Sequence, residues 1–326
     1  MTRARRPAGA DLAPPGLDAL NPYARIVADE ALRRGIRVEV TDPEWGELRL
    51  TRGARSVLTR ESLSELTSAV AMSRCDDKRV TRRIVERAGV RVPRAAVGGQ
   101  ESARELLAGC GEVVVKPARG EQGAGITVGV RDREALDRAV GVAARYCPDV
   151  LVEEFVPGED LRVVVIDHRV VAAAVRRPAE VVGDGRQDVA ALVREASRRR
   201  EQATGGESSI PLDETTEQVV ADAGHALDDV LGSGERLRVR RTANLHTGGT
   251  IEDVTDRLHP EVSDAAVRAS RAIGIPVTGI DFLVPDVTGP DAVFIEANER
   301  PGLANHQPQP TAERFLDLLF PETRGG

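Results

Sequence analysis

The amino-acid sequence predicts an α/β (α+β) protein with two α/β subdomains and a small N-terminal α/β segment. With 326 residues, the chain is long enough for about two domains and a sizeable core. Its content of 41% hydrophobic and 30% charged residues is ordinary for a globular protein. From Asp76 onward, short apolar stretches with strand patterning alternate with helix-spaced stretches, which is typical of an α/β enzyme.

The N-terminal part of the chain is predicted to form a tail and a small folded segment. Residues 1–20 are rich in Pro, Gly and Ala and lack the apolar core of a secretory signal, so we interpret them as a flexible tail. Residues 21–73 form the small segment. In chain order we predict a helix over 23–34 ending at Gly35, a strand over 36–40, strand-rich sequence to Leu58 and a helix over 61–72.

The first subdomain is predicted over residues 74–157. Asp76 or Asp77 can cap a helix that runs to Ala88, and Gly89 ends it. The other elements predicted here are strands over 112–117, 126–130 and 150–156 and a helix over 132–146.

The second subdomain is predicted over residues 158–322. Its predicted elements are strands over 160–166, 169–175, 236–241, 277–284 and 292–298 and helices over 214–231, 260–273 and 311–319. Residues 177–217 are polar around an Arg-rich helical patch, Leu192–Arg200. A polar stretch of this length inside a compact domain is usually a functional loop or partly disordered, and we expect one of these here.

Composition and charge exclude several classes of function. The 45 Lys and Arg against 52 Asp and Glu give a formal charge of −7, and no basic tract stands beside aromatic residues, so no nucleic-acid partner is expected. No stretch approaches the ~20 apolar residues of a membrane span. Cys75, Cys110 and Cys147 lack CxxC spacing, which argues against a disulfide framework or a zinc site and favours a reducing, cytoplasmic setting.

A glycine-rich loop follows Lys116 between two predicted strands. A P-loop or a dinucleotide-binding turn would open a helix instead, so the loop belongs to neither class. Backbone N–H groups at Gly120, Gly123 and Gly125 could cover phosphate oxygens, and Lys116 could add a positive charge. A plain β-hairpin with a solvent-facing lysine explains this loop equally well when it is taken alone.

Three oxygen-bearing side chains lie near the ends of the last two predicted strands. Glu296 and Asn298 are two residues apart and project from the same face of one strand, and Asp281 lies on its neighbour. Oxygen ligands of this kind, completed by phosphate oxygens and water, typically hold Mg²⁺. The structural alternative is an exposed pair on an edge strand.

The segment 153–162 holds carboxylates on both sides of a Pro-Gly turn. One carboxylate, Glu153 or Asp160, could accept a hydrogen bond from an adenine amino group and the other could bind ribose hydroxyls, which together would clamp a nucleoside. Arg162 lies two residues after Asp160 on the same face and could turn toward phosphate or substrate. Each of these features is weak evidence by itself.

The order of these features along the chain is specific. Lys78 in a helix, Lys-Pro before a glycine loop, Glu-x-x-x-Pro-Gly-x-Asp, Arg, and then Asp and Glu-x-Asn on late strands resemble the layout of the ATP-grasp superfamily from Ser73 to Pro321. RPAEVVGDG (177–185), RRTANLHTGGTIEDVTDRLHP (240–260), GIDFLVPD (279–286) and FIEANERPGL (294–303) are similar to the ATP-grasp parts of cyanophycin synthetase and bifunctional glutathione synthetase. EANERPGLANHQPQPTAERFLDLLFP (296–321) is similar to N-acetylglutaminylglutamine synthetase.

The resemblance implies an ATP-grasp fold, in which two α/β subdomains clasp ATP, and it assigns ligand contacts to matching positions. The ATP contacts it implies are Lys78, Lys116, Gly120, Gly123 and Gly125 for the phosphates, Glu153 with the backbone of Glu154 and Val156 for adenine, and Asp160 for ribose. The two Mg²⁺ ions, or Mn²⁺, would be carried by Asp281, Glu296 and Asn298.

The resemblance also implies an activity and the residues that perform it. The activity is that of an ADP-forming acid–amino-acid ligase: a carboxylate of an amino acid or N-acyl amino acid becomes an acyl phosphate and is joined to an amine. The residues implied are Arg240, Asn244 and Arg162 for catalysis and Arg176, Thr247, Gly248, Gly249 and Arg300 for substrate binding.

Two departures from the relatives leave alternatives open. Residues 197–207 do not reproduce the family's DPRRG-x-x-H stretch, and the domains that normally precede this module are not seen. We therefore expect small-molecule carboxylate and amine substrates and a stand-alone ligase, a homodimer, or one that works with a partner biosynthetic enzyme. The alternative hypotheses are a non-catalytic ATP-binding regulatory module and an ATP-grasp kinase or carboxylase with another acceptor.

Overall fold

The computed structural model describes residues 14–120, 123–204, 206 and 208–324. Its first unit consists of α1 (Pro22–Arg33), β1 (Arg37–Asp42), β2 (Glu47–Arg52), β3 (Arg55–Arg60) and β4 (Leu63–Ser64). The four strands pair in chain order as an antiparallel sheet. Asn21 caps α1, since its Oδ1 accepts the N–H of Ala24 at 2.9 Å.

The start of this unit differs from the prediction. Leu17 is buried and opens a short 3-10 turn, so the described chain is ordered before Asn21. Residues 1–13 of the predicted tail lie outside the described residues.

The helix predicted over 61–72 is wrong. Glu61 has a left-handed backbone with φ 53°, and the residues after it form β4 against β3. Helix α2 (Ala69–Asp76) begins only after Ser68, whose Oγ accepts the N–H of Ala71. The predicted helix therefore begins too early in the sequence, because the cap at Ser68 determines where this helix starts.

The second unit is a four-stranded antiparallel sheet covered by helices. It runs through α3 (Lys78–Arg87), β5 (Ala95–Val97), α4 (Glu101–Cys110), β6 (Val113–Pro117), β7 (Thr127–Val130), α5 (Arg133–Ala144) and β8 (Val150–Glu154). The strand order is β5-β8-β6-β7. Asp77 caps α3 by accepting the N–H of Arg79, as the sequence predicts. Strand β5 is three residues long, too short to show an alternating pattern, and it has no counterpart among the predicted elements.

The third and largest unit holds the remaining elements. In chain order they are β9 (Glu159–Ile166), β10 (Arg169–Arg177), β11 (Glu180–Val182), α6 (Val189–Thr204), α7 (Glu214–Asp222), β12 (Arg236–Arg238), β13 (Thr250–Asp253), α8 (Pro260–Ile273), β14 (Val277–Val284), β15 (Val293–Asn298) and α9 (Thr311–Leu319). The predicted strand 277–284 and helix 311–319 coincide with β14 and α9. No described helix has both the length and the apolar character that crossing a membrane requires.

The central sheet of this unit has the order β13-β10-β9-β14-β15 and is antiparallel throughout. One face packs on α8, through a core that includes Phe282 and Ile273. The other face packs on α9 and the N-terminal unit, through a core that includes Val164, Phe315 and Leu48. Burial on both faces explains why the central strands are continuous apolar runs in the sequence.

The polar stretch 177–217 is folded where the structure describes it, so the predicted loop or disorder is wrong for most of it. Helix α6 packs Leu192 and Val193 against Leu237 of β12 in a small separate core. Asp188 accepts the N–H of Ala191 at 2.7 Å at the start of this helix. A single apolar stripe on an Arg-rich helix was enough to bury one face.

Two predicted elements in the same region are shorter than expected. The helix predicted over 214–231 ends at Asp222, followed by Gly224 with φ 83°. The strand predicted over 236–241 ends at Arg238. Beyond it the chain leaves the two-stranded β11–β12 sheet and turns toward the cleft described below.

Candidate active site

A cleft of about 600 Å³ lies between the second unit and the central sheet. The glycine-rich hairpin between β6 and β7 covers one side, and the segment 242–246 approaches from another. The floor is formed by the adjoining strands β10, β9, β14 and β15. The charged and polar side chains that line it are Asp76, Lys78, Asp160, Arg162, Arg176, Asn244, Asp281, Glu296, Asn298, Glu299, Arg300 and His306, among others.

Two arginines and two aspartates interlock on the floor of the cleft. The strand register places Arg162 opposite Asp281 and Arg176 opposite Asp160. Arg162 Nη2 donates to Asp281 Oδ2 at 2.9 Å, and its Nε contacts Oδ1. Arg176 Nη2 lies 2.7 Å from Asp160 Oδ1 and 2.9 Å from Asp281 Oδ2. The tertiary structure therefore brings together four predicted site residues from three strands.

This network shifts the pKa values of its acids in opposite directions. Burial would raise the pKa of Asp281, but the charges of Arg162 and Arg176 outweigh it and lower that pKa to about 2. Burial and the negative charge of Asp281 raise the pKa of Asp160 to about 6, against the effect of Arg176, although 33% of the Asp160 side chain is open to the cleft. Asp281 is thus ionised at neutral pH, whereas Asp160 titrates close to neutral pH.

Lys78 stands at the first turn of α3 and connects the hairpin with the central sheet. Its Nζ donates to the carbonyl of Gly120 at 2.8 Å and lies 3.9 Å from Glu296 Oε2. Asp77 fixes the start of the helix by capping it. The lysine charge therefore faces the cleft beside the glycine loop, where a phosphate chain would need a counter-charge.

The three predicted metal ligands are neighbours on β14 and β15. Asp281 pairs with Glu296 and Gly279 with Asn298 in the strand register. Both oxygens of Asp281 accept hydrogen bonds from arginines, whereas 34% of the Glu296 side chain is open. Within the described part of the chain, no group of three His, Cys, Asp or Glu side chains is arranged to hold a metal. Two carboxylates and an amide nevertheless suit Mg²⁺ when phosphate oxygens and water complete the set.

Lys116 and Glu153 form a buried ion pair on adjacent strands. Lys116 Nζ lies 2.6 Å from Glu153 Oε2, and each side chain is 4% exposed. Arg82 Nε lies 3.5 Å from the other carboxylate oxygen, which has no hydrogen-bond partner among the described residues. Two residues predicted to bind ATP thus hold each other at the base of the hairpin, and a free acceptor oxygen remains on Glu153.

Lys116 and Glu153 lie outside the cleft lining, and so do the neighbouring predicted adenine contacts Glu154 and Val156. Glu154 pairs with Arg94 at 2.5 Å and accepts the N–H of that residue at 3.0 Å. Val156 is half-buried. The Glu154 side chain is thus engaged by Arg94, and the resemblance implies a role only for the backbone of these two residues.

The segment 240–249 forms a tight turn at the rim of the cleft. Asn244 caps it by accepting the N–H of His246 at 2.9 Å. Gly248 has φ 87°, and a Cβ on Gly249 would lie 2.8 Å from the carbonyl oxygen of Asn244. Thr247 Oγ1 donates to the same carbonyl at 3.3 Å. Glycine is therefore required in this turn by close backbone approach.

Arg240 is not in the cleft lining. Its Nη1 contacts Asp213 at 2.6 Å and Thr216 Oγ1 at 3.1 Å, which ties the segment after β12 to the start of α7. In the described conformation its side chain therefore does not join the other predicted site residues.

The hairpin glycines predicted to cover phosphates have backbone conformations that side chains rarely adopt. Gly120, Gly123 and Gly125 have φ of 133°, 78° and 72°. Gly120 and Gly123 line the cleft, and Gly125 packs on the ring of Tyr146. The hairpin could not follow this path with other residues at these positions.

His306 and Glu61 are among the residues of the site that the sequence did not assign. His306 lines the cleft and is 7% exposed, and burial, with the charges of Arg162 and Arg176, lowers its pKa to about 4, so its imidazole is neutral near pH 7. Glu61 pairs with Arg300 at 2.7 Å. No sequence signal pointed to Glu61, because it lies 239 residues away from Arg300.

Comparisons with known proteins agree with this fold. Residues 75–234 match the ATP-grasp domain model. The chain is 33% identical to cyanophycin synthetase of a Nostoc species over 94% of its length, which covers 36% of that protein. It is 29% identical over 90% of its length to the glutathione biosynthesis bifunctional protein of Mannheimia succiniciproducens, covering 42% of it.

The solved structures give the same result. The bifunctional glutathione synthetase from Pasteurella multocida superposes with a TM-score of 0.68 at 27% identity, over 94% of this chain and 45% of that one. The chain thus spans less than half the length of these relatives. The predicted ATP-grasp fold is confirmed.

Proposed function

We propose that this protein is an ATP-dependent carboxylate–amine ligase that forms an amide or peptide bond and releases ADP and phosphate. The observation that carries the proposal is the cleft itself. Cationic side chains from α3, β9 and β10 converge there on the carboxylates of β14 and β15, beneath a glycine hairpin. Such a site suits a triphosphate next to a second anion.

The similarity to cyanophycin synthetase and to bifunctional glutathione synthetase supports the ligase class, since those enzymes are ligases by name. We propose that Lys78, Lys116 and the hairpin backbone bind the ATP phosphates. Glu153, with its free oxygen, would accept from the adenine amino group, and Asp160 would bind the ribose. The protein's proposed substrates are a small-molecule carboxylate and a small-molecule amine, and its proposed location is the cytoplasm.

In the first step, a substrate carboxylate oxygen attacks the γ-phosphorus of ATP. The bond from that phosphorus to the β,γ-bridging oxygen breaks, and its electron pair leaves with ADP. Arg162, Arg176 and Lys78 offset the negative charge that gathers when two anions approach each other. The protein supplies positioning and charge in this step, and no covalent enzyme intermediate is required.

In the second step, the amine nitrogen attacks the acyl carbon, loses a proton and displaces phosphate. The turn at Asn244–Gly249 would hold the acyl phosphate, and the hairpin would exclude the water that otherwise hydrolyses it. Mg²⁺ held by Asp281, Glu296 and Asn298 would supply positive charge to the triphosphate.

A substrate-pair screen tests this function. Amino acids and N-acetyl amino acids would be offered as carboxylates, with amino acids as amines, and products detected by mass spectrometry together with ADP and phosphate. ADP release that requires both a carboxylate and an amine, with a condensed product, is the expected result. AMP and pyrophosphate, a phosphorylated product without an amine, or ATP binding without any turnover would contradict it and point to the other hypotheses.

A further inference from the structure

Arg300 enters the cleft from the segment that follows β15, two residues after Asn298. Its side chain is 28% exposed, and its Nη1 donates to Glu61 Oε2 at 2.7 Å. In the described part of the chain this is its one side-chain hydrogen bond, so Nη2 and Nε can still donate to a ligand.

Glu61 is held rigidly by its own unit. Its Oε1 accepts from Asn21 Nδ2 at 3.0 Å, and its N–H donates to the carbonyl of Gly46 at 3.1 Å. The residue is 8% exposed and has φ 53°, a conformation that costs energy for a residue with a Cβ. The fold thus keeps a buried carboxylate in a strained position where its second oxygen meets Arg300.

The residues around this pair join the same two parts of the chain. Ser62 Oγ donates to the carbonyl of Pro301 at 2.7 Å, and this bond is buried. Gly302 lies so close to Tyr23 of α1 that a Cβ at 302 would be 2.8 Å from the ring. The N-terminal unit therefore contacts residues 300, 301 and 302 in succession, at the point where the chain crosses the cleft.

We propose that Glu61 is a positioning residue that presents Arg300 to a substrate carboxylate, so that the N-terminal unit completes the substrate site. This inference rests on the proposed ligase function. Glu61 occupies one guanidinium nitrogen and fixes the plane of the group, which leaves two nitrogens to bind a carboxylate in the bidentate geometry. Arg300 would then bind a carboxylate of one of the two organic substrates, while Glu61 makes no contact with that substrate.

Steady-state kinetics of Glu61→Gln would test the proposal with the substrate pair that releases ADP fastest in the screen. The amide keeps the size of the side chain but weakens its hydrogen bond to the guanidinium. We expect KM for one of the two organic substrates to rise about 10-fold, while KM for ATP changes less than twofold. The carboxamide analogue of that substrate should bind equally weakly to both proteins.

A double-mutant cycle shows whether Glu61 acts through Arg300. Arg300→Met should raise the same KM on the order of 100-fold, and adding Glu61→Gln to it should have less than a twofold further effect. If Glu61→Gln raises KM as much in the Arg300→Met background as in the wild type, Glu61 does not act through Arg300 and the proposal is wrong.

Asp317→Asn is the matched control. Asp317 also pairs with an arginine across the boundary of the N-terminal unit, at 2.7 Å from Arg34 Nη1, but it lies outside the cleft lining. It should lower the melting temperature, as Glu61→Gln does, and leave every KM unchanged. An equal rise of KM in Asp317→Asn would show a general structural effect and overturn the proposal.

Failure of the proposed function would be seen separately, as no turnover with any pair. Crystal structures of the wild-type protein and Glu61→Gln would then decide the inference. A guanidinium of Arg300 that turns away from the cleft in Glu61→Gln supports the positioning role. An Arg300 in the same orientation in both structures contradicts it.

Discussion

Arg162 of β9 and Asp281 of β14 are register partners in the central sheet, and the guanidinium contacts both oxygens of the carboxylate. Arg176 of β10 shares Asp281 Oδ2 at 2.9 Å. A predicted metal ligand is thus held between two cations. The arginines keep it ionised, and a bound cation would have to compete with them for its oxygens.

The neighbouring arginines of β10 provide a test of this network. Arg176 is half-buried and lies between Asp160 and Asp281, whereas Arg177 pairs with Glu159 and Glu252 at the surface. We expect Arg176→Gln to lower the free energy of unfolding in urea by about 3 kcal/mol, since Asp160 loses its partner and Asp281 keeps only Arg162. Arg177→Gln should cost less than about 1 kcal/mol. If Arg176→Gln and Arg177→Gln lowered the free energy of unfolding equally, the network of Arg176 with Asp160 and Asp281 would not be the more stabilising of the two.

Removal of the proposed metal ligands should stop the reaction. We expect Glu296→Gln and Asp281→Asn each to reduce the rate of ADP release at least ~100-fold, because the triphosphate charge is no longer offset. Glu296→Gln should also raise the Mg²⁺ concentration required for half-maximal rate. Glu252→Gln, on the exposed part of β13, serves as the control and should retain the wild-type rate. Activity surviving in both ligand variants would remove the metal assignment.

The turn at the rim of the cleft has no space for a methyl group at residue 249. A Cβ there would lie 2.8 Å from the carbonyl oxygen of Asn244 and 3.0 Å from that of Arg177, and backbone atoms cannot move aside as a side chain can. We expect Gly249→Ala to lower kcat about 10-fold or more, since a small misplacement of a catalytic turn is costly.

Gly141 offers the matched control, because a Cβ there meets nothing within 4 Å. Gly141→Ala lies inside α5 and should stabilise the protein by about 0.5–1 kcal/mol without changing the rate. A Gly249→Ala variant with wild-type kcat would show that the turn does not take part in the reaction.

The contact between the N-terminal unit and α9 should depend on pH. Burial would raise the pKa of Asp317, but its hydrogen bonds to Arg34 and Arg314 outweigh burial and lower that pKa below the ordinary value of 3.8. A carboxyl whose pKa is lowered by folding stabilises the protein above its unfolded-state pKa and loses that effect as pH falls through the folded-state pKa.

Asp317→Asn should therefore lower the free energy of unfolding by about 2 kcal/mol at pH 7. The difference from the wild type should persist down to about pH 4 and shrink below that, as the wild-type carboxyl becomes protonated. Urea unfolding at several pH values measures it. A difference that is the same at pH 2.5 and pH 7 would show that the charge of Asp317 is not what stabilises the contact.

The sequence determined the parts of the fold that local chemistry fixes. Asp77 caps its helix as predicted, and β14 and α9 have the predicted bounds, because apolar patterning and caps act within a few residues. The prediction failed where contacts distant in sequence decide. Glu61 leaves the helical region because Gly46, Asn21 and Arg300 hold it, and α6 is ordered because Leu237 covers its apolar stripe.

The order of Lys78, Lys116, Glu153, Asp160, Asp281, Glu296 and Asn298 along the chain indicated the ATP-grasp fold. Only the tertiary structure decided which charged side chains of the site form ion pairs. It joined Arg162 to Asp281, Lys116 to Glu153 and Arg300 to Glu61. The physical reason is that the energy of an ion pair depends on distance and burial, and strand register and packing set both.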